Sequence, residues 1–205
     1  MGAFVGGTLD PKNRTFQNSL FFFSMQPRKV LTMLDGLDEL TTEERKLLED
    51  GVEAMEKNPR GIVLGVQRMR MLGKRVGDRI KLTSLNYKDL VFDMDIVGTF
   101  PEGTRYDQSA VMHRDYLYKA LEDYEGRNGK HPLADKCLNL IWLRMPTREG
   151  FEALATEVNK PGKFSPAIKM ETASSGISSF LDSAREMLWA MQGVLCPGLL
   201  VVMSL

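Results

Sequence analysis

The apolar positions along this chain fall into short runs that alternate between strand and helix spacing. Ser19–Met25 is apolar and aromatic and bounded by polar residues, the pattern of a buried strand. Thr41 and Glu44 have capping-box spacing and open a helix with Leu47, Leu48, Val52 and Met55 on its apolar side; Asn58-Pro59 stops it. Gly61–Gly65 reads as a buried strand entering a short helix through Met69–Leu72, and Gly77-Asp78 turns the chain into strands at Arg79–Thr83 and Leu90–Val97. In the second of these, Leu90, Phe92, Met94 and Ile96 alternate with Val91, Asp93, Asp95 and Val97, the period-2 pattern of a half-buried antiparallel strand.

A turn at Pro101 and Gly103 leads to a short strand, Ala110–His113, then a helix near Asp115–Tyr124 and a Gly-rich polar loop, Glu125–Pro132. Leu138–Arg144 is expected as a strand. Pro146-Thr147 then starts a helix with Phe151, Leu154, Ala155 and Val158 at i, i+3, i+4, i+7; Asn159–Gly162 ends it, and Ala167–Thr172 is expected as a further strand. The residue pattern is therefore that of an α+β chain. No internal repeat, low-complexity tract or long linker interrupts it.

The last stretch is different in kind. Met187–Leu205 contains no charged residue, with Gln192 and Ser204 as its clearly polar side chains. A helix needs roughly 20 such residues to cross a hydrocarbon core. Pro197 and Gly198 would break a buried helix of a soluble domain but are tolerated in membrane spans, so a span is favoured over a buried helix. Trp189 suits an interfacial anchor, and the run lacks a closing polar flank, as in a chain cut inside or just after its span. At the other end, Met1–Gly7 has no basic segment leading into a sustained apolar one, so no secretory signal is expected.

Composition sharpens this contrast. The 205 residues carry 27 Lys+Arg and 27 Asp+Glu, a net charge of zero, and every charged side chain lies within residues 1–186. A zero balance gives no electrostatic argument for nucleic-acid binding. Cys137 lies in the polar body and Cys196 in the apolar tail, an improbable disulfide that assigns no compartment.

Candidate chemistry is sparse. The two histidines, His113 and His131, have no Cys or carboxylate at metal-ligand spacing, so structural roles are expected and no metal site is assigned. Asp93 and Asp95 share the outward face of a strand and are expected to solvate it; a tail-anchored hydrolase using Asp93, Asp95 or His113 would need them to converge in one pocket. No P-loop, G-x-G-x-x-G or G-x-S-x-G spacing occurs, so neither catalytic nor cofactor-binding residues are assigned. Asn13–Thr15 matches a glycosylation sequon, a weak signal, and the thirteen methionines suit ordinary core filling.

Three segments taken in order carry a resemblance: Gly61–Gly65, then Leu72–Leu82 with R-V-G-D-R-I from Arg75 to Ile80, then Phe92–Gly98. The order resembles the extracytoplasmic domain of ABC-transporter permeases of the MacB/FtsX-like family, which typically show a strand ending in V-x-G, a short helix, a K-V-G-D-x-I turn and a β unit ending in F-x-V-V-G. Gly77, Asp78 and Gly98 take the structural turn positions of that pattern. Phe180–Trp189 leading to Pro197–Val201 looks like the helix that runs into the second membrane span, with Trp189, Pro197 and Gly198 at membrane entry. Met1–Asn18 lies outside the resemblance.

The resemblance implies a mixed α/β porter-like domain formed from residues 1–70 and 136–172, an inserted β-rich lobe at 71–135, and a lever helix at 173–205 entering a truncated transmembrane span. It implies a non-enzymatic permease subunit in a bacterial inner membrane, its globular part periplasmic or extracellular, working as a homodimer or heterodimer. A separate cytoplasmic ABC ATPase subunit would drive it, movement would pass through Ser174–Trp189, and the further partners would be the lipid bilayer and a periplasmic adaptor. No cofactor and no nucleic acid are expected. The alternative is a membrane-anchored extracytoplasmic sensor or binding module with a single span.

Overall fold

The computed structural model describes residues 2–172 and Ser175. In chain order the elements are β1 (Ala3–Thr8), β2 (Ser19–Met25), α1 (Pro27–Met33), α2 (Thr42–Lys57), β3 (Gly61–Gly65), α3 (Val66–Met71), β4 (Arg79–Ser84), β5 (Val91–Phe100), β6 (Ala110–His113), α4 (Arg114–Asn128) and α5 (Arg148–Val158). The six strands close into a barrel in the order β1-β2-β6-β3-β5-β4. β2 with β6 and β3 with β5 run parallel, and every other neighbouring pair is antiparallel. The fold is thus mixed α/β around a closed barrel, and β4, β5 and β6, from the 71–135 stretch, share one sheet with β1, β2 and β3.

So few strands leave an interior that side chains fill. Val5, Phe22, Ile62, Ile80, Phe92 and Met112 belong to one buried apolar cluster, to which α4 contributes Leu117 and Leu121. Along β5 the alternation read from sequence holds: Phe92, Met94 and Ile96 are buried while Asp93 and Asp95 are partly exposed. From Gly98 to Phe100 both faces are buried, because α2 crosses the outside of the strand there.

That crossing is backbone on backbone. A Cβ on Gly98 would lie 2.6 Å from the Gly51 Cα, and one on Gly51 would lie 2.9 Å from the Gly98 Cα. Around it α2 buries Leu48, Val52 and Met55. Leu47, expected on the same face, is 54% exposed. It sits about 100° round the helix from Leu48, at the edge of the stripe. The expected capping box is present, with the Thr41 hydroxyl accepting from the Glu44 N–H and the Glu44 carboxylate accepting from the Thr41 N–H at 2.9 Å.

Two elements have no counterpart in the sequence reading. The first, β1, is concealed by Gly6 and Gly7, weak strand formers. They serve a close approach here, since a Cβ on Gly6 would lie 3.3 Å from the Phe21 ring and one on Gly7 3.2 Å from the Leu82 Cβ. The second, α1, starts on Pro27 at its first turn, where the missing N–H costs nothing. One expected helix is longer than its sequence bounds: α4 runs through Glu125 and Gly126 to Asn128 and stops at Gly129, whose φ of 80° an L side chain would resist.

The seam between β1 and β4 is short, pairing only Gly7 with Ser84 and Thr8 with Thr83. Beyond it the Gly6 carbonyl accepts the Leu85 N–H at 2.8 Å, and side-chain amides serve the neighbouring groups of that β1 edge. Asn86 accepts from the Gly6 N–H at 3.0 Å and donates to the Phe4 carbonyl at 2.9 Å, and Asn139 accepts from the Phe4 N–H at 2.9 Å. Leu138–Arg144, expected as a strand, therefore reduces to a single bridge between Gly2 and Leu140.

The chain divides after Trp142 into two compact units. In the second, α5 forms where expected, capped by Thr147, whose hydroxyl accepts from the Gly150 N–H at 3.1 Å. None of its residues is buried. Ala167–Thr172 is not a strand: the N–H and C=O of Met170 bond the Asn159 side-chain amide at 2.7 and 2.9 Å, so they join no ladder. Among the described residues no helix is long and apolar enough to cross a membrane, and the proposed span at Met187–Leu205, with Trp189, Pro197 and Gly198, lies outside them.

Candidate functional site

The residues singled out at the turn act together. Gly77 has φ 97°, and its N–H donates to the Ile96 carbonyl at 2.8 Å. Asp78 accepts the Arg75 N–H on its carboxylate at 3.0 Å and, through its own carbonyl, the Ile96 N–H at 2.9 Å. The turn thus ties the end of the α3 segment to β5. Gly98 lies within β5, where it receives α2 rather than making a turn.

The expected outward carboxylates are neutralised where they stand. Asp95 meets Arg79 at 2.8 Å and the Asn58 amide at 3.0 Å, with Arg60 at 3.9 Å, and Asp93 meets Arg60 at 3.7 Å. Hydrogen bonding from Arg79 and then Asn58 holds the Asp95 carboxyl below the usual range, which suits an ion-paired anion and not a general acid. His113 ends β6, which β3 separates from the β5 aspartates in the barrel, and its Nδ1 accepts from the Asp115 N–H at 3.1 Å as the cap of α4.

His131 is buried between Tyr87 and Tyr124, with ring centroids at 5.9 and 5.0 Å. Its Nδ1 accepts from the Leu133 N–H at 3.0 Å, which leaves Nε2 to donate to the Lys88 carbonyl at 3.1 Å. Both imidazole nitrogens are therefore used structurally. Burial pushes the neighbouring Tyr87 hydroxyl up to about 12. Among the described residues, no group of three or more His, Cys, Asp or Glu is placed to hold a metal ion.

No protein-family model and no curated protein matches the chain.

An open cleft of about 470 Å³ lies between the α1–α2 connection and the β5–β6 loop. At its centre the Asp35 carboxylate receives the Arg105 Nη1 at 2.6 Å and the Tyr106 hydroxyl at 2.9 Å. Tyr106 is buried, and that burial, followed by its bond to Asp35, pushes its hydroxyl well above the ordinary tyrosine value. Around the rim Glu102 pairs with Arg70 at 2.8 Å, and the Glu44 carboxyl is held low by the Thr41 hydroxyl and N–H. Glu39 completes the acidic lining.

These contacts make the cleft a clasp between the helical layer and the barrel. Asp35 and Tyr106 are 71 positions apart, and no local motif marks either, so sequence reasoning missed them. The clasp can transmit a displacement of one loop to the other. The Tyr106 hydroxyl is harder to ionise than usual because it is buried and bonded to Asp35, so this pair holds the clasp together and does not activate the hydroxyl as a nucleophile.

Proposed function

We propose that this chain is the extracytoplasmic part of an ABC-transporter permease subunit of the MacB/FtsX-like type, coupling ATP hydrolysis by a separate cytoplasmic subunit to export or mechanical signalling across a bacterial inner membrane. The finer domain description, porter-like with a lever helix entering a span, is part of this reading.

One observation carries it. The three segments of the resemblance are consecutive parts of one structural unit, in which β3 leads through α3 to the Gly77-Asp78 turn and β4, and β5 returns parallel to β3. Gly77 and Asp78 bond the turn to Ile96, and the Asp78 carboxylate accepts the Arg75 N–H. The packing suits a body that passes on force: a filled barrel resists deformation, and the Asp35–Arg105–Tyr106 clasp ties its outer helical layer to the barrel. The proposed lever, Ser174–Trp189, would deliver the displacement.

The test starts from the complete natural gene. One membrane span should precede residue 1, three should run from Met187 onward, and a P-loop ATPase gene should lie beside it. Tagged protein extracted from native membranes should bring that ATPase with it. A single span after Met187 and no co-purifying ATPase would overturn the reading and leave the membrane-anchored sensor.

A further inference from the structure

Arg68 is the most unusual charged group among the described residues. It lies on α3, is 1% exposed, and points under the loop that joins β1 to β2. Its Nη2 donates to the carbonyls of Phe16 and Ser19, and its guanidinium stacks over the Phe16 ring at 4.8 Å. Nε and Nη1 are buried with no acceptor. Burial alone lowers its pKa, to about 10, with no carboxylate acting on it, so at neutral pH a full positive charge is held without a counter-ion. Such a charge is costly to bury unless something satisfies it.

The loop above it is held mainly by its own bonds. Asp10 accepts the Lys12 N–H at 2.9 Å, Asn18 donates to the Asn13 carbonyl at 3.0 Å, and Arg14 donates to the Pro11 carbonyl at 3.2 Å. Its hold on α3 is the Arg68 side chain. Lys12 and Arg14 add two further cations, and among the described residues neither forms an ion pair. On the facing β5–β6 loop, Asp107 takes the Arg68 backbone N–H through its carbonyl and directs one carboxylate oxygen to the Gly103 N–H, while its other carboxylate oxygen is buried without a hydrogen-bond partner. It leaves the guanidinium uncompensated.

We propose that the β1–β2 loop is a lid over an oxyanion site, in which Arg68 is the buried receptor and Lys12 and Arg14 draw the anion in. The closed lid leaves the Nε–H and Nη1–H bonds unmade. Opening hydrates them or hands them to a carboxylate or phosphate group, the two chemistries a guanidinium receives best. A bound oxyanion supplies the missing counter-charge, so it shifts the lid toward its open form by the difference in affinity between the two states.

The full chain in detergent micelles is titrated with inorganic phosphate and, separately, with acetate, each against chloride at matched ionic strength. Hydrogen exchange is read on peptides covering residues 10–19. A saturable rise in exchange with either oxyanion supports the site, and the arm that saturates at lower concentration names its class. Arg68→Met should weaken the response at least tenfold, and Lys12→Gln with Arg14→Gln, both on the surface, should weaken it severalfold without disturbing the barrel. A response equal to that in chloride, or one unchanged in the Lys12/Arg14 variant, overturns the proposal, and so does an unchanged response in a folded Arg68→Met protein. The wild-type titration decides the matter even where the Arg68 variant fails to fold.

Discussion

Two helices of this protein carry similar sequence signals and meet different fates. Both α2 and α5 begin at a threonine whose hydroxyl caps the third residue, and both place apolar residues at helical spacing. Yet α2 buries Leu48, Gly51, Val52 and Met55 against the barrel, while α5 leaves Phe151, Leu154, Ala155 and Val158 half-buried and nothing fully covered. At α2 the missing side chain of Gly98 lets the helix come into backbone contact with β5. An apolar stripe specifies a helix; whether it adds much stability depends on a complementary face.

The comparison can be broken at that crossing first. Gly98→Val would push side-chain atoms into the Gly51 backbone and should cost about 3 kcal/mol or more, measured by urea unfolding of the first unit. Met55→Ala should follow at about 2–4 kcal/mol, a cavity under α2, whereas Leu154→Ala in α5 should cost less than about 1 kcal/mol. Equal losses for these last two would remove the distinction between the helices.

Cap removal sharpens it. Thr41→Ala and Thr147→Ala each delete one side-chain acceptor worth about 1 kcal/mol. The first should lower the unfolding midpoint of the whole barrel unit, while the second should show only as faster amide exchange within α5. The smallest effect concerns acid. Burial holds the His113 pKa below its ordinary 6.5, so the folded chain binds that proton less readily than the unfolded one. Its contribution is complete above pH 6.5 and declines as the pH falls through 6.5 toward the lower folded value. His113→Asn keeps a capping side chain on α4 without the titration. Urea midpoints between pH 7.5 and 5 should therefore fall less steeply in the variant than in the wild type.

Legibility tracked how local the cause was. The Thr41–Glu44 capping box, the alternation along β5 and the Gly77-Asp78 turn are set by neighbours a few positions apart, and all could be read directly. The strand β1 was hidden because its glycines answer to Phe21 and Leu82, residues that touch them only once the barrel closes. Leu138–Arg144 and Ala167–Thr172 have strand composition, but a strand exists only in a ladder. Asn139 serves the Phe4 N–H with its side chain, and Asn159 takes the backbone groups of Met170. The candidate sites were less legible still, since the Asp35–Tyr106 clasp and the buried Arg68 each join loops far apart in sequence.

By itself, then, the sequence determined which stretches could be helix or strand, where most helices start, and that charge stops at Glu186, because each of these depends on side chains and their immediate neighbours. Tertiary structure alone decided that six strands close into one barrel, that Gly98 is a packing surface, and that Arg68 lies buried without a counter-charge. Those outcomes depend on which surfaces meet, and the energy of burying a group is set by what it is buried against.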